Sequence, residues 1–445
     1  MTASRRGKAV RYTLLYGRQS RQQACGAGVT ASGHARSSAK SDRRWSTLRI
    51  LIAALTGLWL PLANGEDESF QQAMATTKPI VDMRMRYEGV DEDGFSEDAN
   101  AGTLRGRFGF ETGRMWSLSL LAEAELVRAL ESDYNDTLNG KTQFPVVADP
   151  PTDEINRLQL TSTIIPDTQL ILGRQRIIYD DHRFVGNSGW RQNEQTFDAL
   201  RVVQRSLDHL TVDFAYVNQV NRVFGKDSPV GRYAGDNYLA NVSREFGAGK
   251  LTGFAYLLDL EEAQTDSSGT LGLRYTHKWK LPRVELAGLA SYATQSDRAG
   301  NPIDYRDDYY AGDLTATLNG WSVGGGIDVL HGDGVKGFTA PIGTLHKFQG
   351  WADKFLTTPA NGIDDRYLSV GYGRKGAIGL DSISANAVYH RFDAQRGSAH
   401  WGSELDLTLQ GMWHRLVGSL TWAGYDAQDF AADTSKLWLQ LEFVY

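Results

Sequence analysis

Apolar and polar residues alternate one by one through most of the chain after about residue 79. Val81–Glu88 is the plainest example, because every second side chain is apolar or aromatic and the others are charged. Successive side chains of a β-strand point to opposite faces, so this segment has one apolar and one charged face. The pattern returns in Leu104–Glu111, Trp116–Leu126 and Asn156–Ile164. It predicts strands that separate an apolar environment from water.

Further alternating segments bring the predicted total to about eighteen strands, an even number as in bacterial outer-membrane barrels. Each is about ten residues long, the length of a tilted transmembrane strand. No long stretch follows the helical period. The predicted fold is therefore all-β, a transmembrane antiparallel β-barrel. The remaining strands are expected near residues 168–176, 196–205, 209–219, 237–246, 250–261, 269–279, 283–294, 309–319, 321–331, 366–374, 382–393, 402–411, 415–425 and 436–445.

The last ten residues, Lys436–Tyr445, form an amphipathic segment that ends on an aromatic residue. Such an ending resembles the C-terminal signal read by the barrel-assembly machinery, which we expect as a partner. A chain that ends on a strand also suits a barrel, because the last strand must pair with the first to remove both edges. The alternative is an edge strand of a soluble sandwich.

Connections of two lengths are expected to alternate around the barrel. Asn319-Gly320 and residues 247–249 resemble tight periplasmic turns, in which Gly supplies the positive φ. Four long polar segments are expected to be extracellular loops or loops folded into the barrel. They are residues 130–155, 176–195, 220–236 and 332–365.

Residues 1–65 differ from the rest and are predicted to be a leader before a barrel domain at residues 66–445. The apolar run Ile50–Ala63 follows three arginines and is too short to cross a bilayer, which is typical of a secretory signal peptide. We expect cleavage near Gly65. Residues 1–40 are predicted to lie upstream of the true start, because signal peptides have about 15–30 residues. Cys25, the only cysteine, falls there, so the mature chain would have no thiol.

Composition supports one large β-domain rather than several soluble ones. The 445 residues include 47 Gly and 11% aromatic residues but only 11 Pro. The net charge of −6 gives no indication of an anionic partner, and no nucleic-acid partner is expected. Any selectivity must come from how the charges are distributed.

The stretch from Leu170 to Val203 carries a charged loop between two alternating segments. Arginines, acids and aromatics are interleaved there, and Gly186 and Gly189 allow sharp turns. A loop this long within a β pattern is usually functional. Arginines bind carboxylates in bidentate geometry, so the loop suits a charged sugar. The alternative is a loop made rigid by its own Arg–Asp pairs.

Two blocks of this chain are similar to the alginate-export family of outer-membrane porins. The first contains GRQ at Gly173–Gln175 and DDHRFVGNSGWRQNEQTFDA at Asp180–Ala199, and the second is FTAPIGTLHKFQGWADKFLTTPANGIDDRYL at Phe338–Leu368. The resemblance implies a monomeric barrel with an arginine-rich, selective pore. It also implies an anionic polysaccharide or oligosaccharide such as alginate as substrate, and periplasmic export partners. Outer-membrane lipid and lipopolysaccharide are expected around the barrel.

Charged residues that alternate with Leu and Phe must line the interior if the apolar face meets lipid. A charge on the lipid face costs about 2–4 kcal/mol at the membrane midplane, and a track of arginines selects anions. The second block would contribute lysines and a tryptophan as a gate or as a packed plug. The predicted pore and substrate-binding residues are Arg84, Arg86, Arg105, Arg107, Arg157, Arg174, Arg176, Arg183, Trp190, Arg191, Asp198, Arg201, Lys347, Trp351 and Lys354.

Three functions remain open from the sequence. The first is passive, anion-selective passage of an anionic saccharide. The second is a general or small-organic-anion porin whose arginines are neutralised by lumen acids. The third is a barrel enzyme acting on surface polysaccharide, although no G-x-S-x-G or H-E-x-x-H motif occurs. No cofactor, metal site or catalytic residue is predicted.

Overall fold

Residues 70–445, which the computed structural model describes, form one closed antiparallel sheet of 18 strands. A short helix, α1 (Phe70–Ala75), precedes the sheet. Among these residues no helix is long and apolar enough to cross a membrane. The predicted signal peptide, its cleavage near Gly65 and the extension at residues 1–40 lie outside the described residues. The strands are β1 (Lys78–Glu92), β2 (Ala99–Glu111), β3 (Leu118–Asp133), β4 (Thr152–Ser162), β5 (Thr168–Gln175), β6 (Thr196–Gln204), β7 (Leu210–Asn221), β8 (Arg232–Phe246), β9 (Gly249–Leu257), β10 (Ser268–Lys280), β11 (Glu285–Asp297), β12 (Arg306–Leu318), β13 (Trp321–Leu330), β14 (Ile363–Ala377), β15 (Leu380–Asp393), β16 (His400–Trp413), β17 (Leu416–Ala427) and β18 (Thr434–Val444).

The last strand closes the barrel by pairing with the first. β18 runs antiparallel to β1 from Asp82 opposite Val444 to Glu92 opposite Thr434. The backbone N–H of Tyr445 donates to Val81 O at 2.9 Å. Every other strand pairs with its neighbours in the chain, so the sheet has no free edge. The predicted eighteen-strand barrel is confirmed.

The outward face is apolar and the inward face is polar. On β1 the outward Met83 and Met85 are exposed, whereas the inward Arg84, Arg86 and Glu88 are buried. Exposed Leu, Val and aromatic side chains continue around the outside of the other strands. An apolar belt around a closed barrel is a surface for lipid, since water would not stabilise it.

Connections alternate in length, so the barrel has a short-turn end and a long-loop end. Asn319 and Gly320 alone join β12 to β13, with φ of 52° and 86° as a type I′ turn requires. The long connections include residues 134–151, 176–195 and 331–362. In outer-membrane barrels the short turns are periplasmic and the long loops extracellular.

Candidate functional site

Two long connections pack against each other inside the barrel. We call residues 176–195 the β5–β6 loop and residues 331–362 the β13–β14 loop. The N–H of Gly186 donates to Ile342 O at 3.0 Å, and the N–H of Thr344 donates to His182 O at 2.9 Å. Ser188 N–H donates to Thr344 Oγ1 at 3.1 Å. The two blocks that stand out in the sequence therefore meet in space and form one folded plug.

Aromatic contacts hold the β5–β6 loop against the barrel wall. Phe184 packs with ring-centroid distances of 5.2 Å to Phe254 and 5.1 Å to Tyr309. It also lies 5.8 Å from Phe338 of the other loop. Such pairs add stability beyond the area they bury. They give the tip of the loop a defined position.

A second aromatic cluster holds the β13–β14 loop against β15, β16 and the connection after β17. Phe355 lies 4.7 Å from Phe392 and 5.1 Å from Phe430, measured between ring centroids. Trp401 stacks on Phe355 at 5.9 Å. Each loop is thus attached to a different part of the wall.

The two inward arginines of β1 bind backbone carbonyls of the β5–β6 loop. Arg84 Nη1 donates to Gly189 O at 3.0 Å and its Nη2 donates to Arg191 O at 2.5 Å. Arg86 Nη2 donates to Trp190 O at 2.5 Å, and its guanidinium lies 4.4 Å from the Trp190 ring centroid. Both point inward as predicted. Their donors are used to position the loop.

The other predicted arginines of β2 and β4 also face the lumen, where each contacts acids. Arg105 lies 2.6 Å from Asp82 and 3.0 Å from Glu442. Arg107 lies 2.5 Å from Glu125, and Arg157 lies 2.6 Å from Glu123, as nearest N–O distances. These ion pairs fit the alternative in which lumen acids neutralise the arginines.

Arg174 and Asp198 do not face the lumen, and this corrects the predicted pore set. Arg174 lies opposite Leu158, and both share the outward face with Leu172, which is 58% exposed. Arg174 Nε donates to Asp198 Oδ1 at 2.7 Å across β5 and β6. The predicted strand near residues 168–176 already contained Arg174, but Arg174 was grouped with the arginines of the following loop, although the alternation of β5 puts it on the face of Leu172.

Arg176, Arg183 and Arg201 are brought to the interior, and each contacts one carboxylate. Arg176 forms a bidentate ion pair with Glu194. Arg183 lies 3.0 Å from Asp328 on the opposite wall. Arg201 lies 2.6 Å from Asp213 on the next strand. The Arg176–Glu194 pair connects the two ends of the β5–β6 loop, and the Arg183–Asp328 pair connects this loop to β13.

Asp353 is the centre of the charge cluster between the two loops. Its carboxylate lies 2.9 Å from Arg191 Nη2, 2.7 Å from His346 Nδ1 and 3.2 Å from Lys436 Nζ. Trp190 stacks on the His346 ring at 4.2 Å between centroids. Arg191 and Trp190 of the β5–β6 loop therefore contact Asp353 and His346 of the β13–β14 loop directly.

The three predicted residues of the β13–β14 loop are in different surroundings. Lys347 is exposed, and its Nζ donates to Asp181 O at 2.9 Å. Lys354 lies 2.8 Å from Glu92. Trp351 packs against the core, and its backbone N–H donates to Asp406 Oδ2 at 3.3 Å. Of the three, only Lys347 presents its charge to solvent.

The wall opposite the arginines is acidic. Asp328, Asp365, Glu404 and Asp406 are buried on β13, β14 and β16, with His390 at 2.9 Å from Asp365. The lumen thus has a cation-rich wall on β1–β6 and an acidic wall on β13–β16. No group of three or more His, Cys, Asp or Glu among residues 70–445 has the geometry of a metal site.

A cavity of about 550 Å³ opens between the loops at the long-loop end. Trp190, Phe224, Leu345 and Leu356 provide much of its apolar lining, and Arg191, Arg222, Lys354 and Lys436 provide the cations. Arg222 and Lys436 were missed by the sequence analysis. Only the length of the 220–236 segment pointed to Arg222, and Lys436 was assigned to the closing strand.

Arg222 differs from the other cations of the cavity because it has no carboxylate in contact within residues 70–445. Its guanidinium lies 4.1 Å from the Tyr233 ring centroid and 4.7 Å from that of Phe224. Burial lowers the pKa of Arg222 by more than its interactions with Tyr233 and Asp266 raise it, because no counterion within residues 70–445 lies in direct contact with the guanidinium. A bound carboxylate would supply that counterion.

Comparison with known proteins supports the fold and not the predicted family. Neither the protein-family models nor the curated proteins contain a match, so the alginate-export resemblance is not supported.

Solved structures do match. The Pseudomonas aeruginosa protein OpdK with vanillate has 15% identity and a TM-score of 0.65, covering 84% of this chain and 99% of its own. OccK9 (OpdG) of the same organism has 16% identity and a TM-score of 0.65, with coverages of 84% and 100%. Acinetobacter baumannii OccAB4 has 16% identity and a TM-score of 0.66, with coverages of 87% and 100%. OpdK is described as an outer membrane protein. The chain shares the fold of these proteins, and its apolar belt makes it a membrane-spanning β-barrel.

Proposed function

We propose that the protein is a passive outer-membrane channel for small organic anions, which enter through the cavity between the two lumen loops. The observation that carries the proposal is the cavity itself. It combines about 550 Å³ of space with an apolar lining and the carboxylate-free guanidinium of Arg222. A small organic carboxylate with an apolar part fits this cavity. Its carboxylate would form an ion pair with the guanidinium, and its apolar part would pack against the aromatic lining.

The packing of the loops favours a small solute over a polymer. A polysaccharide would need an open track, whereas the β5–β6 and β13–β14 loops hydrogen-bond to each other across the lumen. Most of the arginines of the predicted track already contact carboxylates. The structure of OpdK with vanillate, a small aromatic carboxylate, agrees with this choice for a barrel of the same fold.

Selectivity would follow from weak binding at several cations. An anion leaving Arg222 meets Arg191, Lys354 and Lys436 at the same cavity, each shared with an acid of the protein. Shared cations bind a passing carboxylate less tightly than free ones, which allows the solute to leave.

The test is the current through single channels in a planar bilayer under a gradient of sodium benzoate. We expect anion-selective current, and the Arg222→Gln variant should reduce the benzoate permeability about tenfold while leaving chloride permeability nearly unchanged. Arg244→Gln, an exposed arginine near the short-turn end, is the matched control. Equal benzoate permeability in both variants would overturn the proposal.

The same recording tests passage of an anionic polysaccharide such as alginate, the finer function implied by the sequence resemblance. Added polyuronate that blocks the current from one side would support that function. Current that is unaffected by the polymer but blocked by millimolar benzoate would support the small-anion channel. Incubating the protein with polyuronate and measuring new reducing ends tests the enzyme alternative.

A further inference from the structure

Two arginines face each other on the outer, lipid-facing wall of the barrel. Arg366 on β14 lies directly opposite Arg391 on β15, and their side chains are 60% and 56% exposed. Directly opposite residues have Cβ atoms about 4.5–5.5 Å apart, and like charges in that position are unfavourable. Asp364 and Asp393, which lie directly opposite each other two residues from the arginines, offset part of this repulsion.

Each arginine has an acid on its own strand, and that acid leaves part of the guanidinium free. Asp364 binds Arg366 through Nε and Nη2, and Asp393 binds Arg391 through the same two atoms. Asp393 also contacts His400 Nδ1 at 2.8 Å. Within residues 70–445 neither Nη1 group makes a hydrogen bond, so two donors are free on neighbouring strands.

The pair lies at the boundary between lipid and water on the long-loop side. Below Arg366 the same outward face carries Leu368, Val370 and Tyr372 and then Arg374. A rise of about 3.3 Å per residue puts Arg374 roughly 26 Å along the strand from Arg366. A strand tilt of ~40° reduces this to roughly 20 Å, close to the height of the apolar band of such barrels.

An apolar groove of about 450 Å³ lies beside the arginines on the lipid side. Gly312 leaves part of its floor without a side chain, whereas Leu368 lies over Gly325. Ile327, Leu368 and Tyr389 form its sides. Leu368 lies opposite Tyr389 in the register, one step below the arginine pair. The groove has the shape and the chemistry to hold a hydrocarbon chain.

We propose that this surface binds one phosphorylated lipid of the outer leaflet, such as lipopolysaccharide. A phosphate of the headgroup bridges the free Nη1 groups of Arg366 and Arg391, and one acyl chain lies in the groove over Gly312. Guanidinium groups bind phosphate in bidentate fashion, and two of them side by side match its oxygens. The site is on the outer wall and does not depend on the proposed channel function.

The test is native mass spectrometry of the protein purified in detergent, titrated with diphosphoryl lipid A. We expect one lipid A per barrel, and Arg366→Gln with Arg391→Gln should weaken binding at least tenfold. Gly312→Leu should weaken it as well, because the nearest atom to an added Cβ is 3.7 Å away and the new side chain would occupy open groove. Millimolar inorganic phosphate should not displace the lipid.

The control carries the same charge change at the other end of the barrel. Arg374→Gln with Arg415→Gln removes two exposed arginines at the short-turn end and should bind lipid A as the wild type does. Heat-modified mobility on gels will show that each variant is folded. Equal loss in both double variants, equal binding of lipid A without phosphates, or displacement by inorganic phosphate would each overturn the proposal.

Discussion

Charged side chains of the lumen bind mostly to one another, and Asp353 shows the consequence at the scale of one residue. Its carboxylate contacts Arg191, His346 and Lys436 at the edge of the cavity and offsets part of their positive charge. Asp353→Asn would keep the residue's positive φ of 62°, which Asn tolerates, and remove the charge. We expect the anion-to-cation permeability ratio to rise about threefold, because a free positive charge in a narrow site favours anions.

Reversal potentials in a potassium chloride gradient measure this change. Asp333→Asn, near the start of the β13–β14 loop and not among the residues that line the cavity, is the control and should leave the ratio unchanged. A ratio that stays at the wild-type value in Asp353→Asn would mean that the cavity is not on the ion path.

At the scale of the element, the β5–β6 loop is held inside the barrel by Phe184. Phe184→Ala would remove its contacts with Phe254, Tyr309 and Phe338. Truncating a well-packed Phe costs about 3–5 kcal/mol, and this loss falls on the loop rather than on the strand ladder. We expect single-channel conductance to increase severalfold and to fluctuate, as the loop leaves the lumen part of the time.

The comparison variant is Phe108→Ala, which removes an exposed ring from the lipid-facing side of β2. It should leave conductance unchanged. Conductance that is the same in Phe184→Ala as in the wild type would show that other contacts between the two loops hold the plug closed.

At the scale of the whole molecule, the alternation of faces predicts which charges the barrel tolerates. Leu420 and Ser419 are neighbours on β17 and point to opposite sides. Leu420→Arg puts a charge into lipid and should destabilise the barrel by about 2–4 kcal/mol. Ser419→Arg puts it into the lumen and should cost less than about 1 kcal/mol. Urea unfolding in lipid vesicles, followed by tryptophan fluorescence, measures both, and equal losses would contradict the orientation of the wall.

Orientation was readable in the sequence wherever a regular strand carried the charges. Arg84 lies between two methionines, Arg105 follows a leucine and Arg157 precedes one, and all three arginines face the lumen. Arg174 was assigned wrongly, because it was grouped with the arginines of the following loop although it shares the outward face of β5 with Leu172. Arg222 could not be recognised, because its position depends on how a long loop folds.

The sequence by itself determined the number of strands, the closure by the last strand and the face that meets lipid. These properties depend on two-residue periodicity and turn residues, which are local. Only the tertiary structure decided that the β5–β6 and β13–β14 loops meet inside the barrel and that most lumen arginines have acidic partners. It also decided that Arg222 contacts no carboxylate of residues 70–445. Those contacts join residues such as Arg191 and Asp353 that are far apart in the chain. No local pattern specifies them, because they depend on how the closed wall brings distant loops together.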